Sequence, residues 1–243
     1  MQEKPTDTVS RIGIIGDVHA EDEHLRLALA FLTQAGVDTI ICTGDIADGK
    51  GDIDRCVASL LEYGVRTVRG NHDRWVLENK ARHVPNAHLA DELSAATLAF
   101  LGKLPQQIRV PTQMGDLLLC HGVGDNDLQK IWPGTQRMPA ERSAKLDRII
   151  EDDATQIMVN GHVHYRTLIH FEKLLLINAG TLRPDHHPGF TILDIAARKI
   201  DGFEFDKQIV HVRTHSLDPQ PETQVFLNTQ HFNGDWQPVT LYA

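Results

Sequence analysis

Apolar runs alternate with amphipathic segments over residues 12–68, and this alternation limits the fold more than any other feature of the chain. Short β-branched runs at residues 12–15, 39–43 and 65–68 are typical of buried strands. Leu25, Leu29 and Leu32 recur at helical spacing within residues 21–34, and a second helix is predicted over residues 53–63. The order strand, helix, strand, helix, strand predicts an α/β protein with a parallel sheet and right-handed crossovers.

Helices and strands continue beyond residue 90, and after residue 164 the pattern changes to strands alone. Helices are predicted over residues 91–101 and 140–152, a hairpin over 107–110 and 116–120, and a strand over 156–159. A long polar loop, residues 123–138, separates the hairpin from the second of these helices, and a loop of this length is more often functional than idle. Alternating runs at 166–171, 174–177, 190–194, 199–205 and 208–212 predict a second sheet packed on the first.

The chain divides into one large domain, residues 1–215, and an extension, residues 216–243. Its 243 residues and 41% hydrophobic content suffice for a sizeable core. The extension begins with a polar, proline-containing stretch and then carries apolar side chains at Val225, Phe226, Phe232, Trp236 and Leu241. We expect it to pack on the domain or to lie at a contact between copies in a homo-oligomer.

Charge and cysteine usage exclude several classes of partner. A net charge of −9 argues against a broad surface for nucleic acid or anionic membrane, since both require basic patches. No apolar run approaches the length of a membrane span, and residues 1–10 do not resemble a signal peptide. Cys42 and Cys120 lie within apolar runs and are expected to be buried, reduced thiols, which predicts a cytoplasmic protein.

Polar clusters follow the predicted strands at the points where the strands end. Gly70 permits a sharp turn after the third strand, and an amide, an imidazole and a carboxylate follow it at Asn71, His72 and Asp73. Asp73 could hold the imidazole of His72 in one tautomer. Since ligand groups gather at the carboxyl ends of strands in open α/β sheets, these clusters are expected to meet, and the others contain Asp17, His19, Asp45, His121, His162 and His164.

This set of residue types suits two divalent cations. Paired cations about 3.5–4 Å apart can clamp the attacking and leaving oxygens of a phosphoryl group. Such a pair needs a bridging carboxylate, which Asp45 can supply, together with hard oxygen donors and imidazoles for transition metals. The sequence therefore predicts a two-metal hydrolytic site. Mn, Fe, Zn, Co and Ni all fit the donor set, and Mn is favoured.

Five motifs in this order resemble those of the calcineurin-like metallophosphoesterase family. They span residues 16–164 and read Asp17-Val18-His19, Gly44-Asp45, Gly70-Asn71-His72-Asp73, His121-Gly122 and Gly161-His162-Val163-His164. The resemblance implies a four-layer αββα sandwich, with two mixed β-sheets flanked by helices. It is closest to the compact bacterial-type phosphodiesterases, with some similarity to diadenosine-polyphosphate hydrolases.

The resemblance also implies residue roles. Asp45 would bridge the metals, and a hydroxide between them would attack phosphorus. His72 would protonate the leaving oxygen, with Asp73 orienting its ring. The first metal would be held by Asp17, His19 and His164, and the second by Asn71, His121 and His162.

The substrate is expected to be a small phosphorylated molecule with a phosphodiester or phosphomonoester bond. Dinucleoside-polyphosphate hydrolysis and phosphoprotein dephosphorylation are the alternatives, and a non-enzymatic scaffold or a nuclease is a weaker one. The protein-phosphatase branch usually carries Asp-Arg-Gly where this chain has Asp48-Gly49-Lys50. Arg74, Lys50 or Arg183 could replace that arginine at the phosphate, although Arg74 could equally form a surface ion pair.

Overall fold

The first half of the chain forms the alternating units that the apolar runs predict. The computed structural model describes residues 8–80 and 86–243. In it, β1 (Arg11–Ile15), β2 (Thr39–Cys42) and β3 (Arg66–Thr67) are connected by α1 (Asp22–Gln34) and α2 (Ile53–Glu62). β1 pairs with β2 and β2 with β3, and both pairs are parallel. The carboxyl ends of all three strands therefore lie at one edge of the sheet, as expected.

The remaining elements of residues 8–80 and 86–243 are three helices and ten strands. The helices are α3 (Asn71–Leu77), α4 (Ala95–Lys103) and α5 (Ala144–Asp152), with short 3₁₀ turns at Ala90–Glu92 and Thr229–His231. The strands are β4 (Gln107–Thr112), β5 (Gly115–Cys120), β6 (Ile157–Asn160), β7 (Arg166–Phe171), β8 (Leu175–Ala179), β9 (Gly189–Asp194), β10 (Lys199–Asp206), β11 (Gln208–Ser216), β12 (Val225–Phe226) and β13 (Val239–Thr240).

Two mixed sheets form, as predicted, but the later strands are distributed between them differently from the prediction. The first has the order β11-β10-β9-β1-β2-β3 and the second β12-β7-β8-β6-β5-β4. The expectation that all strands after residue 164 form the second sheet is wrong, because β9 returns to pair antiparallel with β1. Apolar alternation identifies a strand but does not specify its neighbour.

The sheets pack face to face between two helical layers. Along β1, Ile12 and Ile14 point into the core between the sheets, and Ile15 points to the core beneath α1 and α2. Along β5, Leu119 faces the same central core, whereas Leu118 faces the outer core that includes residues of α5. This alternation, which follows from the two-residue period of a strand, produces the four-layer αββα sandwich.

Serine caps set two helix starts that the periodicity placed too early. The side chain of Ser94 accepts a hydrogen bond from Thr97 N, so α4 begins at Ala95 rather than at residue 91. Ser143 likewise caps α5 by accepting from Leu146 N, and the predicted start at residue 140 is wrong. The sequence analysis missed α3, which begins at Asn71 directly after the turn at Gly70.

Residues after Ser216 pack against β7 and α5. β12 pairs with β7 in parallel, and β13 pairs with the same strand antiparallel. Phe232 and Trp236 are buried in the outer core, at 2% and 3% exposure. The Asp147 carboxylate of α5 accepts hydrogen bonds from Thr229 N, at 2.8 Å, and from the Thr229 hydroxyl, at 2.6 Å.

Cys42 and Cys120 are fully buried free thiols, as their apolar surroundings predict. Within residues 8–80 and 86–243, no helix has both the length and the apolar character needed to cross a bilayer. The polar N-terminal stretch before residue 8 lies outside the described residues.

Candidate metal centre

The strand ends of both sheets bring the predicted ligands to one place. Asp17 follows β1, Asp45 follows β2, and Asn71 opens α3 after β3. His19 also follows β1, His121 follows β5, and His162 and His164 follow β6. Asp17, Asp45, Asn71 and His121 are at most 1% exposed, so this edge of the sandwich buries polar groups that need partners.

Asp17, His19 and His164 form the first group of donor atoms. Their ligand atoms all lie within 4.8 Å of one another. His19 Nε2 is 3.1 Å from His164 Nε2, and His164 Nε2 is 3.4 Å from Asp17 Oδ2. The structure thus brings together the set expected at the first metal.

Asp45, His121 and His162 form the second group, again with their ligand atoms within 4.8 Å. His121 Nε2 lies 3.2 Å from Asp45 Oδ2. Asn71 belongs to the same group, because its Oδ1 lies 3.0 Å from His121 Nε2. The set expected at the second metal therefore also converges.

Asp45 lies between the two groups. Its Oδ2 is 3.2 Å from His121 Nε2 and 4.0 Å from His19 Nε2, so one oxygen faces an imidazole of each group. Its other oxygen, Oδ1, accepts a hydrogen bond of 2.8 Å from His72 N, which fixes the carboxylate. This is the position that a bridging ligand would occupy.

The donor chemistry fits divalent ions. His19 Nδ1 lies 3.0 Å from the Asp48 carbonyl oxygen, and His121 Nδ1 lies 2.8 Å from that of Thr43. Each Nδ1–H donates to a carbonyl, so each ring turns its Nε2 toward the cluster. Metal-bound histidines are typically held in this way. The Nε2 atoms of His19 and His164 lie 3.1 Å apart, a spacing that suits two ligands of one cation.

The pKa values of the cluster reflect its burial and its charge. Burial lowers the pKa of His19 and of His162 to about 4 and that of His164 to about 3, so these imidazoles are neutral at pH 7. Burial raises the pKa of Asp17 to about 7. At His121 burial acts to lower the pKa, but the carboxylates of Asp45 and Asp17 raise it to about 10. The buried carboxylates thus attract positive charge, which a metal ion would also supply.

The backbone at the site adopts rare conformations. His19, Asp45, His162 and His164 have φ values of 47°, 45°, 68° and 61°, in the left-handed region that costs free energy for residues other than glycine. Such strain clusters where the surrounding structure holds functional groups in place. At Gly70, a Cβ atom would collide with Asp45 Oδ1, so only glycine allows α3 to approach the carboxylate this closely.

Asp48, rather than Asp73, is the partner of His72. The His72 Nδ1 lies 2.6 Å from Asp48 Oδ2. The other oxygen of Asp48 accepts from His88 N at 2.8 Å, and Asp48 N donates to His88 Nδ1 at 2.9 Å. The contacts of Asp48 with His72 and His88 were not predicted, and the signal available for Asp48 was its place three residues after Asp45 in a glycine-containing loop.

The role expected of Asp73 is therefore wrong. Its Oδ1 accepts from Ile46 N at 2.8 Å and from Ala47 N at 3.1 Å, and its Oδ2 accepts from Gly70 N at 2.9 Å. These bonds join the loop after β2 to the start of α3. Asp73 thus supports the backbone that carries Asp45.

The bond network also raises the pKa of His72. Burial acts to lower it, but the hydrogen bond to Asp48 and the charge of Asp45 outweigh that effect. The His72 Nε2 lies 3.9 Å from Asp45 Oδ2. His72 therefore holds a proton more readily than an ordinary histidine, next to the ligand cluster.

Arg74, one of the two arginines considered for substrate binding, forms an ion pair with Asp127 on a neighbouring loop. Its Nε lies 2.6 Å from Asp127 Oδ2, and its Nη2 lies 3.0 Å from Asp127 Oδ1. This bidentate pair links α3 to the loop of residues 123–138 and supports the ion-pair alternative for Arg74 over phosphate binding.

Arg183 lines a cleft of about 420 Å³ beside the ligand cluster. His19 and His72 form its inner wall, and Lys50 lies at the same cleft. The Arg183 guanidinium contacts Asp185, with Nη2 2.8 Å from Oδ2. The volume is within the usual range for small-molecule sites, and two cationic side chains line it.

Comparisons with known proteins agree with this geometry. A sequence profile described as a calcineurin-like phosphoesterase superfamily domain matches residues 11–198. An uncharacterised Methanocaldococcus jannaschii protein, MJ0912, is 34% identical over 68 residues, and the match covers 28% of this chain and 28% of that protein.

Solved structures match more of the chain at lower identity. Yfce, a phosphoesterase from E. coli, aligns with a TM-score of 0.53 at 15% identity, over 86% of this chain and 100% of its own. A metallophosphoesterase from Sphaerobacter thermophilus aligns with a TM-score of 0.53 at 22% identity, over 86% of this chain and 90% of its own. At these identities the alignments establish the fold.

Proposed function

The chain belongs to the calcineurin-like phosphoesterase superfamily, and on that premise we propose that it is a dinuclear metal-dependent phosphohydrolase of small phosphodiesters or phosphomonoesters. The observation that carries the proposal is the position of Asp45 Oδ2, which faces His121 of one donor group and His19 of the other. A carboxylate in that position suits a shared ligand of two cations.

The metal ions are divalent, and Mn is favoured among Mn, Fe, Zn, Co and Ni because the donor set mixes carboxylate, amide and imidazole. Bound there, they supply Lewis acidity to the phosphoryl oxygens and lower the pKa of ligated water. Asp45 would contribute to both sites. The first ion would be held by Asp17, His19 and His164, and the second by Asn71, His121 and His162.

His72 acts as the proton donor to the leaving oxygen. Its Nδ1 is engaged by Asp48 at 2.6 Å, so Nε2 is the atom that transfers the proton. The Asp48 carboxylate stabilises the protonated ring and fixes its orientation, in the way that a carboxylate orients a catalytic histidine in other hydrolases.

Lys50 and Arg183 bind the anionic end of the substrate. Both line the cleft beside His19 and His72. The cleft is also lined by the carboxylates of Glu21, Asp48 and Asp185, so attraction of a phosphate ester depends on these two cations together with the bound divalent ions. The size of the cleft, about 420 Å³, favours a small molecule over a macromolecular substrate.

The test is hydrolysis of bis(p-nitrophenyl) phosphate and p-nitrophenyl phosphate by protein loaded with Mn²⁺. We expect release of nitrophenolate that a chelator abolishes and Mn²⁺ restores. Asp45→Asn should be inactive. Asp201→Asn is the matched control, because Asp201 is also a buried carboxylate but lies on β10, outside the cluster.

Full occupancy by Mn²⁺ without turnover of either ester would contradict the proposal. An Asp45→Asn variant as active as the Asp201→Asn control would contradict it equally, since the shared ligand would then be dispensable.

A further inference from the structure

A row of aromatic rings leads from the ligand cluster to the C-terminal segment. The ring of His186 lies 5.1 Å from that of His164, at an interplanar angle of 83°. Tyr165 lies 6.4 Å from His186, and Tyr242 lies 6.2 Å from Tyr165. The ring of His187 stacks on Tyr242 at 4.5 Å and 27°. We call Tyr165, His186, His187 and Tyr242 the aromatic rim.

Hydrogen bonds on both sides of Tyr242 fix its position. Leu241 is fully buried, and its N–H donates to the Arg166 carbonyl at 2.9 Å. Ala243 N lies 3.4 Å from Glu204 Oε1, and that oxygen also accepts from Arg166 Nη2 at 2.9 Å. The backbone that carries the Tyr242 ring is therefore held in place before any ligand arrives, which lowers the entropic cost of binding.

The rim adjoins the loop that lines the cleft, and two of its rings are exposed to solvent. The side chains of His186 and His187 are 39% and 50% exposed. Arg183 and Asp185, a few residues earlier in that loop, line the cleft. A ligand whose phosphate lies in the cleft could therefore reach the rim by passing this loop.

The rim has surface that suits a flat, polar ring. Exposed aromatic faces gain free energy by stacking with another ring, and histidine and tyrosine are common partners of nucleobases. The rim starts at His186, whose ring lies 5.1 Å from that of His164 in the ligand cluster. A nucleotide, in which a sugar separates the base from the phosphate, can place its phosphate at the cluster and its base on the rim.

We propose that the aromatic rim binds the nucleobase of a nucleotide substrate whose phosphoryl group occupies the metal cleft. This inference rests on the proposed function and adds its substrate class. It assigns to the C-terminal segment, through Tyr242, a part in substrate recognition that lies outside the residues matched by the family profile, 11–198.

The test compares two ligands that differ only in the base. We propose calorimetry of the Mn²⁺-loaded protein with the non-hydrolysable phosphonate analogues of AMP and of ribose 5-phosphate. The AMP analogue should bind roughly tenfold more tightly, as expected for stacking of one base. Tyr242→Leu, which keeps apolar bulk, should reduce that ratio to near unity, and Tyr242→Phe should retain it.

Tyr63→Leu is the matched control. Tyr63 follows α2 and precedes β3, so it lies near the amino end of that strand, whereas the ligands lie at the carboxyl ends. Circular dichroism and thermal melting would establish that each variant is folded. The inference is overturned if both analogues bind the wild type equally, if neither binds, or if Tyr242→Leu keeps the wild-type ratio. Failure of the proposed function is distinguishable, because it would appear as absent turnover of the nitrophenyl esters.

Discussion

The Asp48 carboxylate lies 2.6 Å from Nδ1 of the His72 imidazole, with His88 N donating to its other oxygen at 2.8 Å. The ring is thereby fixed with Nε2 directed away from Asp48. The residue next to His72 in sequence, Asp73, takes no part in this pair, because three backbone N–H groups occupy its carboxylate. We therefore expect substitution of Asp48 to affect catalysis and substitution of Asp73 to affect stability.

His72→Ala should reduce kcat for an alkyl phosphate ester by about 10²–10⁴-fold, the usual contribution of a positioned general acid. The loss should be smaller for a p-nitrophenyl ester, because nitrophenolate leaves without needing a proton. Steady-state kinetics on both esters would measure this. An equal loss on the two esters would contradict the assignment of His72 as proton donor.

Asp48→Asn should reduce kcat less than His72→Ala does, and should add nothing to the loss in the double variant, because both changes remove one proton-donating unit. Asp73→Asn serves as the contrast: it should lower the free energy of unfolding and leave the dependence on leaving group as in the wild type. Additive losses for Asp48→Asn and His72→Ala would show that they act separately.

Asp45→Asn should bind less metal than the wild type. We expect the wild-type chain to bind about two Mn²⁺ ions, because its donor atoms form two groups that share Asp45. The amide lacks the charge that holds both ions, so the variant should retain one ion or none. Elemental analysis after gel filtration measures the ratio. Wild-type stoichiometry in the variant would contradict a shared site.

Arg183→Ala should raise KM for a phosphate ester by roughly twofold to fivefold, the range expected for a partly exposed charge contact. The effect should weaken at high salt, since exposed charges are screened. Arg74→Ala is the control, because both arginines pair bidentately with an aspartate but only Arg183 lines the cleft. A larger rise in KM for Arg74→Ala than for Arg183→Ala would reverse the assignment.

Asp147→Ala should lower the free energy of unfolding by about 2–3 kcal/mol, because it leaves buried donors of the C-terminal segment without an acceptor. The buried donors are Thr229 N and the Thr229 hydroxyl, and the exposed Gln230 also loses the partner of its Nε2 at 2.7 Å. Urea denaturation measures the change. Asp152→Ala, an exposed position of the same helix, should have little effect. Equal losses for the two variants would refute this role of Asp147.

His170 should make stability depend on pH. Burial lowers the pKa of His170 below 6.5, although the nearby Asp218 and the Leu217 carbonyl act to raise it. The unfolded chain therefore binds a proton more readily than the native one below pH 6.5. The free energy of unfolding contributed by His170 should be fully present above pH 6.5 and should decrease as the pH falls from there toward the native pKa.

The comparison variant is His170→Gln, whose amide can replace the Nε2–H bond to the Leu217 carbonyl at 3.3 Å. Urea denaturation between pH 7.5 and pH 5 would give the difference between wild type and variant, in which other titrating groups cancel. A difference that does not change with pH would contradict a buried, neutral His170.

The convergence of ligands at the strand ends could be predicted from the sequence because apolar runs place the strands and parallel order aligns their ends. Which acid contacts His72 could not. Asp73 is the third residue of α3, so its carboxylate turns back to Gly70 N, while the left-handed backbone of Asp48, with φ of 66°, brings that residue to the imidazole. Both facts depend on local dihedral angles that residue types alone do not fix.

The return of β9 to the first sheet was also unpredictable, and for a different reason. β9 is buried along nearly its whole length, and a strand covered on both faces does not show which sheet it joins. The aromatic rim could not be predicted either. Tyr165 and Tyr242 are 77 positions apart in the chain and meet only through the pairing of β13 with β7.

That pairing has a consequence for the behaviour of the protein at high concentration. β7 is a fully buried strand, and β13 and β12 cover its outer edge in succession, at Thr167 and Leu168 and then at His170 and Phe171. An uncovered apolar edge would offer free amide and carbonyl groups to strands of other molecules. Because the C-terminal segment covers this edge of β7, it should reduce edge-to-edge aggregation of the protein.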